Sequence, residues 1–307
     1  MPITPTKYIW MDGQLVEWEK ATVHVLTHTL HYGSGVFEGI RAYETKKGPA
    51  VFRLTEHIQR LKRSAKIYMI DLPYGVDQLI EATKETVRAN ELKSCYIRPI
   101  VYHGYGEMGL NPLVAPVNVA IITWVWGAYL GEEGITKGVR TKISSWRRYD
   151  HNNLPPAAKA TGQYLNSGLA KVEAIKSGYD EAIMLNSEGY IADATGENVF
   201  VVRDGVLLTP PLSAGPLGGI TRDSIMTIAR DLGIGVHETN LVRTDLYTAD
   251  EAFMTGTAAE LVPIRSVDER DLGDPGAVTK KIQEIFFASV RGEVEKYSDW
   301  NEYVLTS

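Results

Sequence analysis

Cysteine is almost missing from this chain: Cys95 is the only one in 307 residues. An intrachain disulfide is therefore impossible, and a metal site built on thiolates is equally excluded. No block of Lys or Arg stands out, and the formal net charge is -6 with a pI near 5.7. Nucleic-acid and anionic-membrane binding thus have no electrostatic footprint. Long hydrophobic runs are absent too. The most apolar one, residues 117–126, is too short to span a bilayer and reads as a buried strand. The opening MPITPTKYIWMDG has neither the basic nor the apolar region of a signal peptide, so a cytoplasmic protein is expected. His24, His28, His31 and His103 form no metal-ligand spacing, and no metal is expected.

What is present is an ordinary globular composition, 44% hydrophobic and 23% charged, over a length that suggests two lobes rather than one core. After Thr55 an apolar stripe of Ile58, Leu61, Ala65 and Tyr68 predicts a helix, with Pro73 closing the region. A second helix carries Val76, Leu79, Ile80, Thr83 and Val87. Two strand-like runs follow, 94–103 and 118–126, so the first part reads as an α/β lobe over residues 1–126. The stretch 127–137, GAYLGEEGITK, has three glycines and no clear period, and is read as a linker. Residues 138–307 make the second lobe. It holds short β-rich runs at 181–185, 190–193, 198–203 and 206–209. Helices are expected from Thr221 (Ile225, Ile228, Ala229, Leu232) and around Val278, Ile282, Ile285 and Phe286. The fold class is α+β.

Five features could carry chemistry. In PPAAKATGQYLNSGLAKVEA, Lys159 sits among Ala157, Ala158 and Ala160, with little room for its own hydration. Desolvation lowers an ammonium pKa and frees the amine to form a Schiff base; an ordinary solvated loop lysine is the alternative. Gly218-Gly219-Ile220-Thr221-Arg222-Asp223 opens a helix, whose first-turn N–H groups and dipole favour an anion. Thr221 could donate to a phosphate oxygen or simply cap the helix. No Gly-Lys-Ser/Thr follows, which disfavours nucleotide hydrolysis. Thr255-Gly256-Thr257-Ala258-Ala259-Glu260 follows a strand-like EAFM and could expose successive N–H groups to an anion, or be a plain turn. In SCYIRPIVYH, alternation puts Tyr96, Arg98 and Ile100 on one face, where the arginine needs either a structural salt bridge or an anionic ligand. HTLHYGSGVFEGIRAYE, rich in glycine and aromatics, suits a close-packed pocket wall or a packed turn.

Together these segments resemble the branched-chain aminotransferases of the fold-type-IV pyridoxal-phosphate enzymes. The matching strings are YIWMDG, LTHTLHYGSGVFEGIRAYET, YIRPI, MGLNP, WGAYLGEE, AAKATGQYLNS, ATGENVF, GITRDS and ADEAFMTGTAAELVPI, in order from Tyr8 to about Val267. The resemblance implies a small α/β lobe and a larger pseudo-barrel lobe with pyridoxal 5'-phosphate between them. It makes Lys159 the Schiff-base lysine and sets Tyr164 against the cofactor's phenolic oxygen. Arg60, Leu217, Ile220, Thr221 and Thr257 fall in the phosphate-binding set, Arg60 by charge and Ile220 by its N–H. Gly256, Thr257 and Ala258 resemble the turn that receives the substrate α-carboxylate, with Tyr96 nearby. Phe37, Gly39, Trp126 and Tyr129 would line the side-chain pocket, with Tyr32 and Leu110 supplied by a neighbouring subunit. Arg98 matches the arginine that accepts the glutamate side chain.

One position departs from the family pattern. Five residues before the asparagine of GENVF the family has a glutamate, which pairs with the pyridine nitrogen; here it is Asp193, one methylene shorter. Asp193 is assigned that role, with Glu197 as the less favoured substitute. The implied reaction is transamination of leucine, isoleucine and valine with 2-oxoglutarate, in a homodimer at least; hexamers occur in close relatives. D-amino-acid aminotransferases, (R)-amine transaminases and aminodeoxychorismate lyase share the fold, but YIRP and GTAAEL argue against all three. A non-catalytic binding protein that kept the fold is the rival from another class, and intact Lys159 argues against it.

Overall fold

The computed structural model describes residues 3–127 and 129–305. By contacts the chain divides into two units, Met1–Trp126 with Ala158–Gln163 and Ala288–Ser307, and Gly127–Ala157 with Tyr164–Phe287. Among the described residues no helix is long and apolar enough to cross a membrane.

The first unit is an antiparallel sheet whose central strand, Cys95–His103, pairs from Tyr96 to His103 with Val117–Trp124. Its other edge meets two short strands in succession, Gly35–Phe37 and Ile40–Thr45. The gap between them faces Pro99, which has no N–H to give to a ladder. Glu38 N–H still donates to Pro99 O at 2.8 Å, so the chain stays in register while Glu38 and Gly39 leave the strand. Gly48–Phe52 and the C-terminal Asn301–Tyr303 extend that side, and Tyr8–Met11 with Gln14–Glu17 the other. The helices Leu54–Ile67 and Val76–Ala89 form where the 3.6-residue stripe predicts them. Their Leu54, Ile58, Leu61, Ala65, Leu79 and Val87 are buried in the same core as strand residues Ile40, Ile97 and Ile121.

The second unit is a mixed nine-stranded sheet. Its order runs Ile191–Ala194, Glu181–Leu185, Val139–Ile143, Glu260–Val267, Glu251–Gly256, Asn198–Arg203, Val206–Thr209 and Val236–Glu238, with Arg270–Asp271 added on Glu260–Val267. Val139–Ile143 is parallel to both its neighbours. Parallel neighbours need a long crossover. The one from Ile143 to Glu181 contains the Lys159 segment and the helix Tyr164–Lys176. The stretch 127–137 is not plain linker: it contains the helix Gly131–Lys137, which packs on Glu260–Val267. Ala128, also within it, lies outside the described residues.

Candidate active site

In the first unit, Lys159 is pinned through its backbone. Phe37 N–H donates to Lys159 O at 3.0 Å, and Lys159 N–H donates to Ser64 Oγ at 3.0 Å. Thr161 Oγ1 donates to Gly33 O at 2.7 Å, and Gly162 N–H reaches the same carbonyl. Gly33 adopts φ 64°, and a Cβ there would come within 2.6 Å of Gly162 Cα, so this backbone-on-backbone approach requires glycine. Ala158 and Ala160 are buried as the small-residue reading expects, whereas Ala157 is exposed. The Lys159 ammonium lies 5.0 Å from the centre of the Phe37 ring. Burial first, then the Arg60 charge, pull its pKa down to about 8, with Glu38 and Tyr96 opposing and Arg98 adding to the fall. A tenth of the amine, roughly, is then neutral at pH 7, whereas a solvated lysine would have almost none.

Beside it stands a fully buried carboxylate that the sequence reading passed over. Glu38 accepts from Arg60 Nε at 2.7 Å and Arg60 Nη2 at 2.8 Å, a two-pronged grip, and its Oε2 lies 2.7 Å from His57 Nδ1. Burial opposes ionisation of Glu38, yet Arg60 and His57 together hold it well below the usual carboxylate range. Burial keeps His57 below its ordinary pKa despite Glu38, and towards the carboxylate it is Nδ1–H that donates.

The aromatic and arginine residues named from the sequence converge in this unit as well. Arg98 Nη2 donates to Tyr96 Oη at 3.0 Å, as the shared strand face predicts. Its guanidinium lies 4.7 Å from the Phe37 ring centre and 5.9 Å from that of Trp124. Among the described residues no carboxylate pairs with Arg98, and its buried Nε has no hydrogen-bond partner. The structural salt bridge offered as an alternative is therefore absent. Trp126 meets Tyr96 edge-on at 4.7 Å. A Cβ on Gly39 would lie 2.1 Å from Tyr96 Oη, so glycine there admits the phenol.

In the second unit Asp193 is buried and receives Arg148 Nε at 2.7 Å. Burial works to lower the Arg148 pKa, but Asp193 chiefly, with Tyr149 and Tyr164 among the other contributors, raises it. Arg148 also donates to Ser167 Oγ and Ala194 O, which fixes its plane. Nearby, Glu197 is buried, and burial followed by the Glu181 charge pushes its pKa up to about 8. Glu181 is itself fully buried and takes Lys171 Nζ and Thr195 Oγ1, each at 2.7 Å.

The helix Ile220–Asp231 starts with Gly219 at the cap position and no side-chain cap. Thr221 is inside the first turn, so the capping alternative does not hold. Asn198 braces the approach, with Nδ2 donating to Leu217 O at 2.9 Å, while its Oδ1 would lie 2.0 Å from a Cβ on Gly219. Thr257 and Ala258 occupy the tight turn between Glu251–Gly256 and Glu260–Val267, where Gly256 pairs with Glu260 in its left-handed conformation. Tyr129 is exposed at 38%, with the Lys171 ammonium 5.4 Å from its ring centre. In the first unit, Tyr32 and Leu110 are exposed at 45% and 81%, and Tyr32 Oη bonds Met108 O at 3.0 Å.

Arg148, Glu38 and His57 were missed by sequence reading. The signal available for Glu38 was a carboxylate inside an apolar, glycine-flanked run.

Within the first unit a clamped arginine and a desolvated lysine suit a phosphate and an aldehyde, and within the second an uncapped helix start suits a phosphate, so each unit taken by itself has residues that fit pyridoxal 5'-phosphate. Comparison with known proteins agrees. The family model described as Amino-transferase class IV matches residues 35–267. A branched-chain-amino-acid aminotransferase of Pseudomonas aeruginosa is 49% identical, covering 96% of this chain and 97% of the relative. The crystal structure of the Escherichia coli branched-chain amino acid aminotransferase superposes with a TM-score of 0.96 at 49% identity, covering 98% of this chain and 100% of that one. That of the Thermobaculum terrenum branched-chain amino acid aminotransferase, in its PLP-bound holo form, gives 0.92 at 36% identity over 98% and 99% of the two chains. The chain belongs to the branched-chain-amino-acid aminotransferase family, within the class IV aminotransferases, and its α+β fold is of fold type IV.

Proposed function

We propose that this enzyme transfers the amino group of L-leucine, L-isoleucine or L-valine to 2-oxoglutarate, giving branched-chain 2-oxo acids and L-glutamate in a ping-pong reaction. The observation that carries this reading is the Lys159 amine, desolvated and brought to a pKa of about 8 beside an aromatic wall that ends in Arg98. Pyridoxal 5'-phosphate, when bound, supplies an aldehyde carbon and an electron sink. Lys159 Nζ would attach the cofactor and, when free, would serve as the base that takes the substrate α-proton and the acid that gives it back. Arg60, Leu217, Ile220, Thr221 and Thr257 hold the phosphate. Tyr164 donates to the phenolic oxygen, and Asp193 keeps the pyridine nitrogen protonated. Gly256, Thr257 and Ala258 receive the substrate α-carboxylate, with Tyr96 beside them.

Phe37, Gly39, Trp126 and Tyr129 accommodate apolar side chains by hydrophobic burial. Arg98, with a buried donor left over, takes the second carboxylate of glutamate through a charge-assisted bond. Tyr32 and Leu110 on their exposed faces complete the pocket of a second subunit, so at least a homodimer is required; a hexamer is compatible. A cytoplasmic location belongs to the same reading, supported by the metabolic role of the family. The test is a half-reaction screen of the yellow enzyme with L-amino acids, D-amino acids and amines, following loss of its visible absorbance. L-leucine, L-isoleucine, L-valine and L-glutamate should react. Reaction confined to D-amino acids or simple amines would overturn the assignment.

A further inference from the structure

We propose that Glu38 is a positioning residue of this site: with both oxygens on Arg60 and one on His57, it fixes the guanidinium that receives the phosphate and supplies the negative charge that the Lys159 amine feels. This rests on the roles given above to Lys159 and Arg60.

Three observations carry it. Glu38 is fully buried, and its two-pronged grip commits the Nε–Nη2 edge of Arg60, which sets the plane of the guanidinium. The residue before it, Phe37, holds the Lys159 carbonyl, so the carboxylate and the lysine are tied to the same short stretch of backbone. The break opposite Pro99 brings Glu38 out of ladder pairing, and its own Oε2 then accepts from Gly39 N–H at 3.3 Å. Stability alone gives a weak reason for such a cluster, because a buried ion pair is often no better than apolar residues of the same volume. Function gives a stronger one: a guanidinium kept for a phosphate must be held in place and partly neutralised before the phosphate arrives.

The charged and titratable groups around the Lys159 amine come from three elements. They are Glu38 after the strand Gly35–Phe37, His57 and Arg60 from the helix Leu54–Ile67, and Tyr96 and Arg98 from the strand Cys95–His103. Glu38 and Tyr96 raise the lysine pKa, while Arg60 and Arg98 lower it. Removing Glu38 must therefore lower it further, and removing Arg60 must raise it.

The experiment measures the Lys159 pKa in the full-length, cofactor-free chain by competitive acylation and peptide mapping from pH 6 to 11. It also compares affinity for pyridoxal 5'-phosphate with that for pyridoxal. Glu38→Gln should drop the lysine pKa by about one pH unit or more, the scale of a neighbouring charge. It should also cut the preference for the phosphorylated ligand about tenfold. Glu38→Asp should keep the pKa near the parent value while losing the preference, since the charge stays and the two-pronged grip does not. Folded Glu38→Gln with both readouts unchanged overturns the proposal. Should Glu38→Gln not fold, Glu38→Asp decides: a lost preference for the phosphorylated ligand at an unchanged Lys159 pKa supports the proposal, and an unchanged preference refutes it. Borohydride reduction of the parent enzyme with cofactor is the separate control. Label on another lysine would defeat the functional reading, while the pKa shifts would still judge the coupling of Glu38 to Lys159.

Discussion

Arg148 Nε lies 2.7 Å from Asp193 Oδ1, and both side chains are buried in the second unit. A guanidinium in that place does two things. It holds the carboxylate in one orientation, and it withdraws negative charge from whatever Asp193 faces. The shorter arm of aspartate is thereby given a rigid mount, with Arg148 itself locked by Ser167 and Ala194.

If Asp193 is the carboxylate that keeps the pyridine nitrogen protonated, Asp193→Asn should slow proton transfer from leucine far more than it weakens cofactor binding. A loss on the order of a hundredfold in the half-reaction rate is expected, comparable to removing one preorganised electrostatic partner. Stopped-flow spectroscopy with L-leucine measures it. An unchanged rate would move the role elsewhere, first to Glu197.

Arg98 should discriminate between substrates rather than serve all of them. Arg98→Ala removes one charge-assisted bond, about 1.5–3 kcal/mol or roughly ten- to a hundredfold in affinity, for glutamate and 2-oxoglutarate only. Leucine and valine should be spared in steady-state kinetics. Equal losses for glutamate and leucine would make Arg98 a structural residue that orders Phe37, Tyr96 and Trp124.

Much of this was legible in the sequence, for local reasons. Alternation alone puts Tyr96 and Arg98 on one face, while the small residues around Lys159 leave a desolvated and a solvated lysine both open. Of the helix stripes, Ile58, Leu61, Ala65, Leu79 and Val87 are buried core, with Tyr68, Val76 and Ile80 partly buried against it. What was hidden depended on long-range partners. Arg148 and Asp193 are 45 positions apart, and no local period links them. Glu38 lies in a run that reads only as a pocket wall or a packed turn, and its partners His57 and Arg60 are 19 and 22 positions away. Thr221 was open between cap and ligand because the two choices differ by where a helix begins, two residues earlier here. The helix Gly131–Lys137 was masked by glycines, although its acidic first turn and terminal lysine suit the helix dipole.

Lys159→Ala should abolish transamination and leave the fold intact, and borohydride should label Lys159 in the parent. Capture of added pyridoxal 5'-phosphate by the cofactor-free enzyme gives a pH test of the same residue. Only the neutral amine attacks an aldehyde, so the association rate should climb with pH and level off above about 8, the value set by burial and Arg60. A rate still climbing steeply at pH 10 would show a lysine with ordinary hydration.

Glu197 offers a prediction about stability instead of rate. Burial and the neighbouring Glu181 raise its folded pKa to about 8, well above the roughly 4.3 of an unfolded glutamate. The folded state therefore binds a proton that the unfolded state has released across that whole interval. Its contribution is fully present below about pH 4 and is lost steadily as pH climbs through 8. Glu181 does not relieve this, since Lys171, Thr195 and the Ala182 N–H already occupy its oxygens. Glu197→Gln keeps the size, and its carbonyl oxygen can still accept from Gly196 N–H, as Glu197 Oε2 does at 3.0 Å. With nothing left to ionise, the variant should match the parent near pH 5 and exceed it near pH 8. The gain should be on the order of 1 kcal/mol or more, a few degrees in Tm for a chain of this size. Thermal unfolding of both proteins from pH 5 to 9 decides the matter: parallel curves would mean that Glu197 ionises in the folded enzyme as readily as in the unfolded chain.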